Sequence, residues 1–148
     1  MEKGIEELIP YLEKTFELPE VDIKTYSPLV LAYIGDGIYD VIIRTIVVSE
    51  GNSQPNKLHK KTSLFVKAAA QSAMIEAIKE DLTEEELKVY KRGRNAKSPT
   101  MAKNASMVDY RRATGFEALM GYLYLQGKLK RLIDLIKIGL EKSELNKK

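Results

Sequence analysis

Apolar residues fill two long segments, 28–48 and 107–125, and recur at helical spacing through most of the remaining chain. In the first segment Tyr33, Ile34, Ile38, Tyr39, Val41, Ile42, Ile43, Ile46 and Val47 surround Asp36. Ser27 can cap its start, and Pro28 suits the first helical position. A helix apolar on nearly every face is expected to be buried on nearly every face, leaving Asp36 little access to water. Residues 5–16 predict a short or kinked helix with Pro10 inside it, and residues 17–26 a linker. Residues 50–55 are turn formers. Residues 56–79 predict one long helix, broken near Ser63, with Leu58, Leu64, Phe65, Ala68, Ala69, Ile75 and Ile78 facing inward. Thr83 and Glu86 form a capping box that starts a helix running to about Arg94, with Gly93 at its end. Residues 95–106 predict an exposed, mobile loop. Gln126 and Gly127 separate the second apolar helix from a last amphipathic one at 129–145. Nothing alternates at period two, so the expected fold is all-α, with six or seven helices in one domain spanning residues 1–148.

Composition narrows the class. Among the 148 residues, 44% are hydrophobic and 30% charged, which is ordinary for a soluble globular domain. With no Cys, disulfides, thiolate catalysis and thiolate metal sites are excluded. Residues 1–10 carry three glutamates and no apolar core, so no secretory signal is expected and the cytoplasm is the default compartment. Asp36, Asp40 and Arg44 interrupt the longest apolar run, which argues against a membrane span.

Chemistry enters with a second acid. Glu117 also stands alone in an apolar helix, with Ala113, Thr114, Ala118 and Gly121 within one turn on its side. Gly35 and Gly37 flank Asp36 in the same way. Two helices crossing through such small residues bring Asp36 and Glu117 together. Two carboxylates in one dry cleft repel, and a hard divalent cation such as Mg²⁺ or Mn²⁺ removes the repulsion. Alternatively, Arg44 or Arg111 pairs with either acid and makes it purely structural.

Net charge is only +3, but it is unevenly spread. Residues 57–75 hold four Lys, one His and no acid; residues 88–112 hold eight Lys or Arg against one Asp. Lys57, His59, Lys60 and Lys61 form one cluster. Lys88, Lys91, Arg92, Arg94, Asn95 and Lys97, then Lys103, Arg111 and Arg112, bracket the loop. Such surfaces neutralise phosphates without reading sequence. His59, the single His, suits a phosphate contact or a buried hydrogen bond.

The residues at 33–36, Tyr-Ile-Gly-Asp, resemble the Phe-Leu-Gly-Asp core of the ribonuclease III signature helix. Those at 116–125 resemble the family's second motif. With 58–61 and 91–97 added, the set is similar to the Mini-ribonuclease III family over roughly residues 27–140. The resemblance implies a ribonuclease III endonuclease-domain fold without a double-stranded-RNA-binding domain. It implies Mg²⁺-dependent cleavage of double-stranded RNA to 5′-phosphate ends, with Asp36 and Glu117 as metal ligands. It implies a homodimer packed through Tyr33, Ile34 and Ile38, and 23S ribosomal RNA precursor as substrate, with a ribosomal protein as a candidate helper. Two acids of the larger enzymes are replaced here by Ala32 and Thr114. The competing reading is a non-catalytic RNA-binding or ribosome-assembly module with the same fold.

Overall fold

The structure, a computed structural model, describes residues 7–97, 106–143 and 145. It contains seven α-helices: α1 (Leu8–Thr15), α2 (Pro28–Val48), α3 (Pro55–Val66), α4 (Ala68–Ile78), α5 (Glu84–Asn95), α6 (Met107–Leu125) and α7 (Leu129–Ser143). Single 3-10 turns at Ile23–Thr25 and Lys79–Asp81 precede α2 and α5. No strand occurs among the described residues, as the absence of period-two alternation requires. None of the described helices is long and apolar enough to cross a membrane.

Local chemistry starts the helices. Ser27 Oγ accepts from the Val30 amide at 3.2 Å, with Pro28 as the first helical residue. Thr83 and Glu86 form the reciprocal capping box of α5, at 3.1 and 2.9 Å. Ser106 Oγ accepts from the Asp109 amide and starts α6.

Helix α6 is the axis of the fold. From Ala113 to Tyr124 every residue except Glu117 is buried. It packs against α2, α4, α5 and α7. Helix α2 runs antiparallel to it, with Leu31 against Gly121 and Tyr39 against Phe116, whose rings meet edge-on at 5.0 Å. Helix α4 does the same, with Gln71 at Glu117 and Glu76 at Arg112. Helix α5 follows, with Glu85 at Tyr122 and Gly93 at Gly115. Helix α1 stands apart: it has no buried residue, and only Ile9 of it packs on the core.

Three expectations are corrected. Helix α6, not α2, is the one enclosed on all sides; α2 leaves Val30, Tyr33, Val41 and Val48 exposed along one stripe. Asp36 is exposed with them. The 56–79 segment breaks at Lys67, not near Ser63, because side chains distant in sequence take up the end of α3. Tyr39 donates its hydroxyl to Phe65 O and Gln71 donates its amide to Val66 O, while Lys67 is extended. The break turns α4 relative to α3, so Leu64 and Ala69 face solvent. Gly93 does not end its helix. It lies within α5, where a Cβ would come 2.8 Å from Gly115 Cα and Ala118 Cβ.

Candidate active site

Two glycines set the crossing of α2 and α6. A Cβ on Gly35 would stand 1.7 Å from the Glu117 carbonyl oxygen, and one on Gly121 would stand 2.0 Å from that of Leu31. The backbones touch, which only glycine permits. This places the residue after Gly35 beside Glu117, close enough for the Asp36 carboxyl to raise that of Glu117. Asp36 is open to solvent and Glu117 is half-buried, so the pair is reached from solvent at Asp36.

The pair is electrostatically uncomfortable. The Glu117 carboxyl is pushed up to about 8, chiefly by burial and then by the hydrogen bond and charge of Asp36, against a hydrogen bond from Gln71 that lowers it. Arg44 does not relieve the pair, because it salt-bridges Asp40 at 2.7 Å. Adjacent oxygen donors in a half-dry site suit a hard divalent cation. Among the described residues no group of three or more acids or histidines is placed to hold a metal ion. The two positions that could have enlarged the set are Ala32 and Thr114, both buried, and Thr114 Oγ1 donates to Tyr110 O. Asp36 and Glu117 therefore fit such an ion as a two-ligand site, with water and substrate oxygens left to complete the shell.

Gln71 is the site residue that sequence reasoning missed. Its Nε2 lies 3.3 Å from Glu117 Oε2 and 2.9 Å from Val66 O. The available signal was a glutamine among small residues in the run 68–73, on a helix whose neighbours are apolar.

The expected basic residues fall into groups. Lys57, His59 and Lys60 are exposed on α3, so His59 makes a surface contact rather than a buried one. Lys61 is ion-paired with Glu50. Lys91, Arg92, Asn95 and Lys97 are exposed at the end of α5, while Arg94 lies over the Tyr90 ring at 5.6 Å. The Gly93–Gly115 contact puts this end beside the first half of α6, where Arg111 is exposed and Arg112 reaches Glu76 at 3.5 Å. Lys103, and most of the loop expected over 95–106, lie outside the described residues.

The residues expected at a dimer interface divide. Tyr33 is 82% exposed on the outer stripe of α2. Ile34 turns inward, where its Cγ2 would meet a Cβ on Gly121 at 2.9 Å. Ile38 is buried in the chain's own core. Both lie on the side of α2 that packs on α6. Gly37, on the outer stripe, has no atom within 4 Å of where its Cβ would be.

Known proteins resemble this chain over most of its length. Residues 29–128 match the family model described as ribonuclease III domain. A Mini-ribonuclease 3 from Clostridium tetani is 55% identical, covering 82% of each chain. One from Thermoanaerobacter is 44% identical over 95% of this chain and 97% of its own. The crystal structure of a Fusobacterium nucleatum protein superposes with a TM-score of 0.74 and 34% identity, covering 82% of this chain and 98% of that one. The matched span contains both acids, both crossing glycines and Gln71, so the chain belongs to the ribonuclease III family, among its Mini-ribonuclease 3 members, and is a nuclease of that family.

Proposed function

We propose that this nuclease hydrolyses double-stranded RNA, with Asp36 and Glu117 holding Mg²⁺ or, in its place, Mn²⁺. The observation that carries the reading is the carboxyl pair at the α2–α6 crossing, open on one side and without Arg44 as counter-ion. A divalent cation in such a site makes water a better nucleophile and offsets charge gathering on the phosphate. The chain's part is to hold the two acids in register through Gly35 and Gly121 and to present Asp36 to the substrate side. The water oxygen bonds to phosphorus and the bond to the 3′-oxygen breaks. One strand end is left with a 5′-phosphate and the other with a 3′-hydroxyl.

The exposed cations of α3 and of the α5–α6 corner give RNA a phosphate-binding surface without base contacts, which suits recognition of a duplex by shape. The apolar stripe Val30, Tyr33, Val41, Val48, open around Gly37, suits a second copy of the chain. A homodimer would carry two sites, one for each strand. Precursor of 23S ribosomal RNA in the cytoplasm is the proposed substrate, with a ribosomal protein as candidate helper in shaping it.

The test is incubation of the purified chain with a long RNA duplex and with 23S precursor, with and without Mg²⁺, beside Asp36→Asn. Metal-dependent cuts that the variant cannot make support the reading. Binding without cutting under Mg²⁺ and Mn²⁺ replaces it with the RNA-binding module.

A further inference from the structure

Gln71 is 2% exposed, and its carboxamide is committed in an unusual way. Both of its described partners are acceptors, Val66 O and Glu117 Oε2, so the nitrogen must face them. Turning the amide over would set its oxygen against the Val66 carbonyl oxygen. In this orientation Oε1 is buried with no partner among the described residues. Buried side-chain polar atoms are nearly always satisfied, so an orphan beside a reactive carboxylate needs a physical reason. The Val66 carbonyl belongs to the last turn of α3, whose carbonyls have no partner within that helix. Gln71 therefore ties Glu117 to the end of the helix that carries Lys57 and Lys60.

We propose that Gln71 is the positioning residue of the metal site. Its Nε2 fixes the Glu117 carboxylate for the cation, and its Oε1 is kept as an acceptor for a donor that arrives with the cation, such as a coordinated water. The inference rests on the metal-site reading above. It explains why a half-buried acid is held by a neutral amide rather than an arginine. A guanidinium would satisfy Glu117 and compete with the metal; an amide orients the carboxylate and leaves its charge available.

The test is Mn²⁺ binding to the EDTA-stripped full chain, followed by electron paramagnetic resonance of the free ion. Gln71→Leu keeps the volume and removes both hydrogen-bonding functions. It is expected to weaken Mn²⁺ affinity about tenfold, the range found for outer-shell partners of metal ligands. In a Glu117→Gln background, Gln71→Leu is expected to cost no further affinity. Unchanged Mn²⁺ affinity in Gln71→Leu, or an equal extra loss in the double variant, overturns the proposal. If the leucine variant does not fold, Gln71→Asn retracts the amide by one methylene, and wild-type affinity there overturns it equally. Wild-type binding that survives Asp36→Asn sinks the metal-site reading itself, an outcome separate from these.

Discussion

Gly35 packs against Glu117 backbone to backbone, with room for a hydrogen but not for a methyl group. Gly35→Ala would put a carbon 1.7 Å from the carbonyl oxygen, so the α2–α6 crossing must open. We expect a loss of about 3 kcal/mol or more, read as a lower urea midpoint. Gly37→Ala is the contrast, because its Cβ meets nothing within 4 Å and alanine favours the helix by up to ~1 kcal/mol. Equal destabilisation by the two variants would contradict the crossing geometry.

The raised Glu117 carboxyl predicts a pH dependence whose sign is definite. Its ordinary value is 4.5 and the folded chain holds it at about 8, so between these pH values the folded state keeps a proton that the unfolded state has lost. Stability contributed by this group is full below about 4.5 and is lost as pH rises through about 8. Glu117→Gln has no proton to lose. Without divalent cations it should become more stable than wild type as pH rises, by a few kcal/mol at pH 9. Mg²⁺ should narrow the gap by stabilising wild type alone. Parallel melting-temperature curves from pH 5 to 9 would refute this.

Tyr33 presents its ring to solvent in the single chain. Under the proposed dimer, Tyr33→Asp places a charge in an apolar contact. It should weaken self-association at least tenfold in sedimentation equilibrium, with the helical circular dichroism unchanged. A wild-type chain that sediments as a monomer at tens of micromolar would remove the dimer from the proposal.

Binding through lysines on α3 and α5 implies counterion release. RNA affinity should fall steeply between about 50 and 200 mM salt. Lys60→Ala should reduce the slope of log affinity against log salt by about one. Affinity that ignores salt would show that these residues are ordinary solvated surface.

What could be read from the sequence was what local chemistry decides. The bounds of α6 and the starts of α2 and α5 follow from capping residues adjacent to the apolar runs. Asp36 and Glu117 stood out because each is a lone acid among small residues. What could not be read depends on residues far away. The α3–α4 break needs Tyr39 from α2, and the function of Gly93 needs Gly115 from α6. An apolar stripe turned outward carries the same letters as one turned inward, so the exposed side of α2 looked buried. Gln71 escaped because an uncharged side chain announces nothing until its neighbours are known.

The three side chains that meet at the crossing come from positions 36, 71 and 117. No contiguous fragment short of that whole span contains them, and α6 contributes the last one. During synthesis a nascent chain therefore has no assembled centre until residues beyond 117 have left the exit tunnel.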